Sequence, residues 1–105
     1  QRRGVAVRPR RRAAVLERAI TAEGGLNTSA KVTGQLAGQR SFIPTHSILD
    51  TIASGARVAD PQGVSGHFMY RSAASFNGAS GTLEVLVHEE SGQIRHVLFR
   101  TGVSP

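Results

Sequence analysis

The chain has 105 residues, no cysteine and a formal net charge of +6. That length suits a single domain with a modest core. Without cysteine there is neither a disulfide framework nor a thiolate zinc site, and no apolar run approaches the roughly 20 residues that a membrane span needs. There is no signal-peptide core either. The chain opens on Gln1 instead of methionine, which fits a piece of a longer protein.

The charge is unevenly placed. Arg2, Arg3, Arg8, Arg10, Arg11 and Arg12 fall in the first twelve residues, and beyond them seven basic residues face seven acidic ones. Residues 1–12 therefore read as a basic arm, or the frayed start of a helix broken at Pro9, ahead of a formally neutral domain at 13–105. Such an arm attracts nucleic acid, anionic lipid or acidic protein without distinguishing them.

From Arg11 to Ala22 the spacing of Ala14, Val15, Ala19 and Ala22 predicts a helix, stopped by Gly24-Gly25. A short helix is read around Ala30 to Leu36. A third follows Pro44, with Thr45 as N-cap, Ile48, Leu49 and Ile52 as its buried stripe and Gly55 as its stop. His46 then lies in the first helical turn, where free backbone N–H groups suit an anion.

After Arg57 the period changes to two, and strands are expected near 56–59, 67–76, 82–88 and 94–100. Asn77-Gly78 with Ser80-Gly81, and Glu90-Ser91-Gly92, supply the hairpin turns. Simple alternation puts Leu83, Val85 and Val87 on one face and Thr82, Glu84, Leu86 and His88 on the other. In the last strand it sets Arg95, Val97 and Phe99 against Ile94, His96, Leu98 and Arg100. The expected fold is α+β: N-terminal helices packed on one face of a four-stranded antiparallel sheet.

No phosphate-binding glycine loop, dinucleotide fingerprint, HExxH or nucleophile elbow is present. What remains is a polar set on or beside the sheet: His46, Arg57, Arg71, Glu84, His88, His96 and Arg100. Histidine and glutamate can exchange protons with a ribose 2′-hydroxyl and a leaving 5′-oxygen. Arginine can clamp the phosphate between them. These are parts enough for metal-free RNA cleavage with no cofactor. Each residue also has a structural reading. Glu84 can simply pair with Arg71 or Arg100 across strands, and His46 can be a cap neighbour. His67 and His88 read as solvated strand ends, Glu89 and Glu90 as turn charges, and Tyr70 and Phe76 as core.

The stretches "FIPTHSILDTIASGARVADPQG", "HFMYRSAASFNG" and "GTLEVLVHEESGQIRHVLFR" resemble the C-terminal toxin domains of bacterial polymorphic toxins, of the contact-dependent inhibition and Rhs types. Their element order is similar to the barnase–EndoU–colicin–RelE ribonuclease group. The resemblance covers about residues 42–101 and implies a metal-independent ribonuclease acting on tRNA or rRNA. It also implies delivery as the tip of a larger secreted protein, action in the target-cell cytoplasm and a cognate immunity protein. By position His46 matches the histidine before the sheet, Arg71 the basic residue of the second strand, and His96 with Arg100 the polar residues of the last. The neutral body and the single lysine, Lys31, depart from that group. A non-enzymatic protein- or nucleic-acid-binding module with a basic arm is the alternative. Met69-Tyr70-Arg71-Ser72 is similar to the arginine motif of ADP-ribosyltransferases, but too little chain follows it for that family's later strands.

Overall fold

The computed structural model describes residues 3–102, with side chains from Arg10 onward. Gln1 and Arg2 of the expected arm, the side chains of Arg3 and Arg8, and residues 103–105 lie outside the described residues. Three helices precede four strands: α1 (Arg3–Ala19), α2 (Ala30–Ala37), α3 (Thr45–Ser54), β1 (Ala56–Ala59), β2 (His67–Phe76), β3 (Ala79–His88) and β4 (Gln93–Thr101). The sheet is an antiparallel meander in the order β1-β2-β3-β4. This is the expected α+β architecture, with the helices on one face only. No helix among the described residues is long and apolar enough to cross a membrane.

The helices differ from expectation at their ends. Residues 3–12 form the first turns of α1, which does not break at Pro9. Proline's fixed φ is compatible with a helix, so Pro9 weakens α1 through a lost N–H bond and ring crowding without ending it. The helix stops at Ala19, before Ala22, because Ile20 leaves it to bridge Leu26, and the Thr21 N–H turns to the Gly25 carbonyl at 2.8 Å. Ser29 caps α2 by accepting from the Val32 N–H at 3.4 Å. The N-cap position of α3 is Pro44 and not Thr45, with no side-chain cap bond. At its other end Gly55 donates to the Thr51 carbonyl at 2.8 Å, as expected of the stop. A Cβ on Gly55 would stand 2.6 Å from the Arg71 carbonyl oxygen, so only glycine lets α3 turn so tightly into β1.

The sheet matches its expected spans closely, with two informative exceptions. Asn77 (φ 54°) and Gly78 (φ 81°) make a two-residue turn with both residues left-handed, so β3 starts directly after it at Ala79. In β4 the pairing shifts between Leu86 and Val87: Leu86 opposes His96, and Val87 opposes Ile94. Arg95 is the extra residue of a β-bulge. The expected alternation therefore fails at this point. Ile94 joins Val97 in the core, while Arg95 and His96 both face the other way.

Val15, Ala19, Val32, Ile43, Ile48 and Ile52 from the helical layer pack on Tyr70, Leu83, Val85, Val87, Ile94 and Val97 from the sheet. Phe42, Phe76 and Phe99 close one end edge to face, Phe76 and Phe99 with centroids 4.8 Å apart. Tyr70 and Phe76 thus belong to the packing, as expected. The buried Thr51 hydroxyl meets the Ser72 hydroxyl at 2.6 Å, tying α3 to β2. Arg57 donates twice to Glu89, each at 2.8 Å, and its guanidinium lies 3.7 Å from the Phe68 ring centre. The Tyr70 hydroxyl donates to the same carboxylate. Glu89 is therefore a half-buried partner to two strands, more than the turn charge expected.

Candidate functional site

Helices cover one face of the sheet and leave the other open. The register sets this open face out in cross-strand rows: Arg71, Glu84 and Leu98 in one, Met69, Leu86 and His96 in the next. Arg100 stands one row beyond, opposite Thr82, and the His67–His88 pair one row before. The two full rows, Arg95 and Arg100 line a cleft of about 450 Å³ with the Asp60-Pro61-Gln62 loop and Lys31 of α2. Its floor is apolar, from Met69, Leu86 and Leu98, and its rim is charged.

Four of the five expected site residues gather here: Arg71, Glu84, His96 and Arg100. Glu84 is buried, and its Oε2 lies 3.3 Å from Arg71 Nε and 3.2 Å from Arg100 Nε. One carboxylate thus stands between two guanidiniums and neutralises only one of them. Arg71 Nε is buried without an aligned hydrogen-bond partner, so its pairing with Glu84 is Coulombic alone. The structural reading of Glu84 as a cross-strand partner of both arginines holds, and it coexists with a place in the cleft.

His46 is not part of this group. It is exposed on the first turn of α3, and α3 packs on the other side of the sheet. The expectation failed because element order alone does not fix which face a preceding helix covers. Arg57 also points to the helical side, against Phe68 and Glu89. His67 is buried and not solvated as expected, its ring centre 5.0 Å from that of His88.

His96 is half-buried at the cleft wall. Its pKa lies below the ordinary 6.5, first because burial disfavours the charged ring, then because Lys31 and Arg40 repel a proton. Glu84 pulls the other way and Arg100 adds to the repulsion. The imidazole is therefore neutral near pH 7 and free to accept a proton.

Three cleft residues escaped the sequence reading. Lys31 reaches the rim from α2, and nothing local in the sequence signals it. Asp60 is buried, its carboxylate accepting from the Gln62 and Val64 N–H groups at 3.1 and 3.2 Å, which fixes the loop. Arg95 had a legible signal: Ile94 and Val97 are three apart, which breaks a period of two and marks a bulge.

Lys31, Arg71, Arg95 and Arg100 set four cations against the two carboxylates Asp60 and Glu84. The body is formally neutral, yet this face is not. Among the described residues no group of three or more His, Asp or Glu side chains is placed to hold a metal. No protein-family model, curated protein or solved structure matches the chain.

Proposed function

We propose that the chain is a metal-independent endoribonuclease, with its active site in the open-face cleft. One observation carries this reading: a proton-accepting His96 shares an apolar-floored cleft with two guanidiniums held around a single carboxylate. RNA contains its own nucleophile, so cleavage needs three things: a base, a clamp for the phosphate, and stabilisation of the charge that grows on it. His96 takes the proton of the 2′-hydroxyl as its oxygen attacks phosphorus. The bond to the 5′-oxygen breaks, and a 2′,3′-cyclic phosphate forms. The leaving oxygen takes a proton from water at the open mouth. Arg71 and Arg100 bind the phosphate and stabilise its added charge. Glu84 holds both guanidiniums in place and acts as a positioning residue.

With this reading comes the setting that the resemblance implies. The domain would be delivered into a rival cell, cut tRNA or rRNA there, and be held inactive in the producer by an immunity protein. An acidic surface on that partner would complement the cleft.

Total RNA and purified tRNA incubated with the domain in EDTA provide the test, with product ends mapped for the cyclic phosphate. Cleavage by the wild type and a large loss of it in His96→Ala is the expected result. Intact RNA in the wild-type reaction would falsify the reading.

The exposed Arg10 and Arg11 of α1 favour a second reading, a nucleic-acid-binding module. They lie on the helical side, away from the cleft. Replacing both with glutamine separates the two: an RNA affinity abolished by that change, with no cleavage, supports binding alone.

A further inference from the structure

Arg95 is the residue that the bulge delivers to the cleft. It has an unusual pair of partners. Its Nε donates to Gln93 Oε1 at 2.9 Å, and its Nη1 lies 3.1 Å from His67 Nε2. The histidine's other nitrogen, Nδ1, is 2.9 Å from the Ser65 carbonyl oxygen. A carbonyl can only accept, so Nδ1 carries the proton and Nε2 is the bare acceptor for the guanidinium. Both partners of Arg95 are thus neutral. Among the described residues it has no carboxylate partner. Arg95 is exposed and its guanidinium is pinned in orientation without an ion pair, whereas Arg71 and Arg100 share Glu84.

Its position complements theirs. The His67–His88 row lies four residues along the strands from the Arg71–Glu84 row, about 13 Å at the usual rise per residue. Between them lies the apolar floor of Met69 and Leu86. A cation at each end and an apolar floor between match a nucleic-acid strand, with phosphates at the ends and the intervening nucleosides over the middle.

We propose that Arg95 binds a second phosphate, so that the cleft takes a single-stranded oligonucleotide across at least two phosphates and not an isolated scissile linkage. This rests on the ribonuclease reading and extends it to a substrate class. A bulge that interrupts β4 at the one point where it re-aims an arginine is the kind of irregularity found beside functional sites. Gln93 and His67 are then positioning residues for Arg95.

Equilibrium binding of non-cleavable oligodeoxynucleotides, carrying one phosphate or several, tests this. In the wild type, affinity rises about tenfold when the strand becomes long enough to reach Arg95. The slope of log affinity against log salt steepens by about 0.7 at the same length. In Arg95→Gln both steps vanish, while affinity for the single-phosphate oligonucleotide and the melting temperature stay unchanged. Arg71→Gln weakens every length alike. Gln93→Ala, which frees the guanidinium without removing its charge, keeps the salt step and loses part of the affinity step. A length step that persists in Arg95→Gln overturns the inference. So does a wild type that cuts RNA and binds the single-phosphate ligand but shows no step, and in that case the ribonuclease reading survives. A wild type that binds no oligonucleotide and cuts no RNA ends both.

Discussion

Along β3, Leu83, Val85 and Val87 point into the helical layer, each fully buried, while Glu84, Leu86 and His88 point the other way. Neighbours in sequence therefore answer to different demands. One face is close-packed and apolar, and a change of a single methylene is felt there. The other carries a buried carboxylate, two half-exposed guanidiniums and a neutral imidazole around an open cleft. A domain this small has only one core, and placing the site on the reverse of the sheet keeps its charges out of that core. Substitutions on the two faces should accordingly have separable effects.

The largest effect tests the open face. His96→Ala is expected to lower RNA cleavage by about 10²–10⁴-fold, the usual loss on removing a proton-transfer group, with no fall in melting temperature. Loss of stability in step with activity would break the comparison. The opposite experiment is Leu83→Ala on the packed face, expected to cost about 2–5 kcal/mol in urea unfolding. Cleavage by its folded fraction should be unchanged.

Glu84→Gln sharpens the boundary, because Glu84 is buried yet belongs to the cleft. Its arginine partners are 34% and 54% exposed, so solvent screening limits the stability cost to about 1 kcal/mol. The turnover rate should fall about tenfold while KM stays level or drops, because the clamp keeps its charge and loses its orientation. Restoration by Glu84→Asp would confirm that the role is positional.

Smaller still is the pH behaviour of the two faces. Cleavage should rise with pH through the lowered pKa of His96, so its acid limb lies below pH 6.5. Lys31→Gln should move that limb upward, since it removes the first of the neighbouring charges that repel the proton. On the packed side, burial alone would raise the Glu89 pKa, but bonds from Arg57 and Tyr70 and the charges of Arg57 and Arg11 outweigh it. Its folded value lies below the ordinary 4.5. Its stabilisation is therefore present above that pH and lost as pH falls through the folded value. Glu89→Gln should flatten this acid limb of the melting curve and leave the cleavage profile alone.

The fold was legible where the chain obeys a simple period. Residues 67–76 and the Asn77-Gly78 turn spell out a hairpin, but alternation alone leaves its register open to a slip of one residue, which the pairing of Arg71 with Glu84 fixes. Alternation makes a shared face for Arg71, Glu84, His96 and Arg100 possible, and the pairings of Arg71 with Glu84 and of Leu86 with His96 bring it about. What escaped depends on longer-range facts. The layer occupied by α3, which removes His46, is set by packing. The approach of Lys31 is set by where α2 docks beside β4. The Arg57–Glu89–Tyr70 group joins three positions with no shared spacing. Arg95 is intermediate, written in the sequence as a break in period that a strict alternation passes over.

That last group has a practical consequence. Tyr70 is the chain's only tyrosine, and there is no tryptophan. Burial, aided by the bond to Glu89, pushes its phenol up to about 12 from 10. The molecule thus has a single strong near-ultraviolet chromophore, fixed where β1, β2 and the β3–β4 turn meet. Its absorbance and emission report on that one junction without any label. Ionisation of the phenol during an alkaline titration marks either late deprotonation in the intact fold or the release of this corner of the sheet.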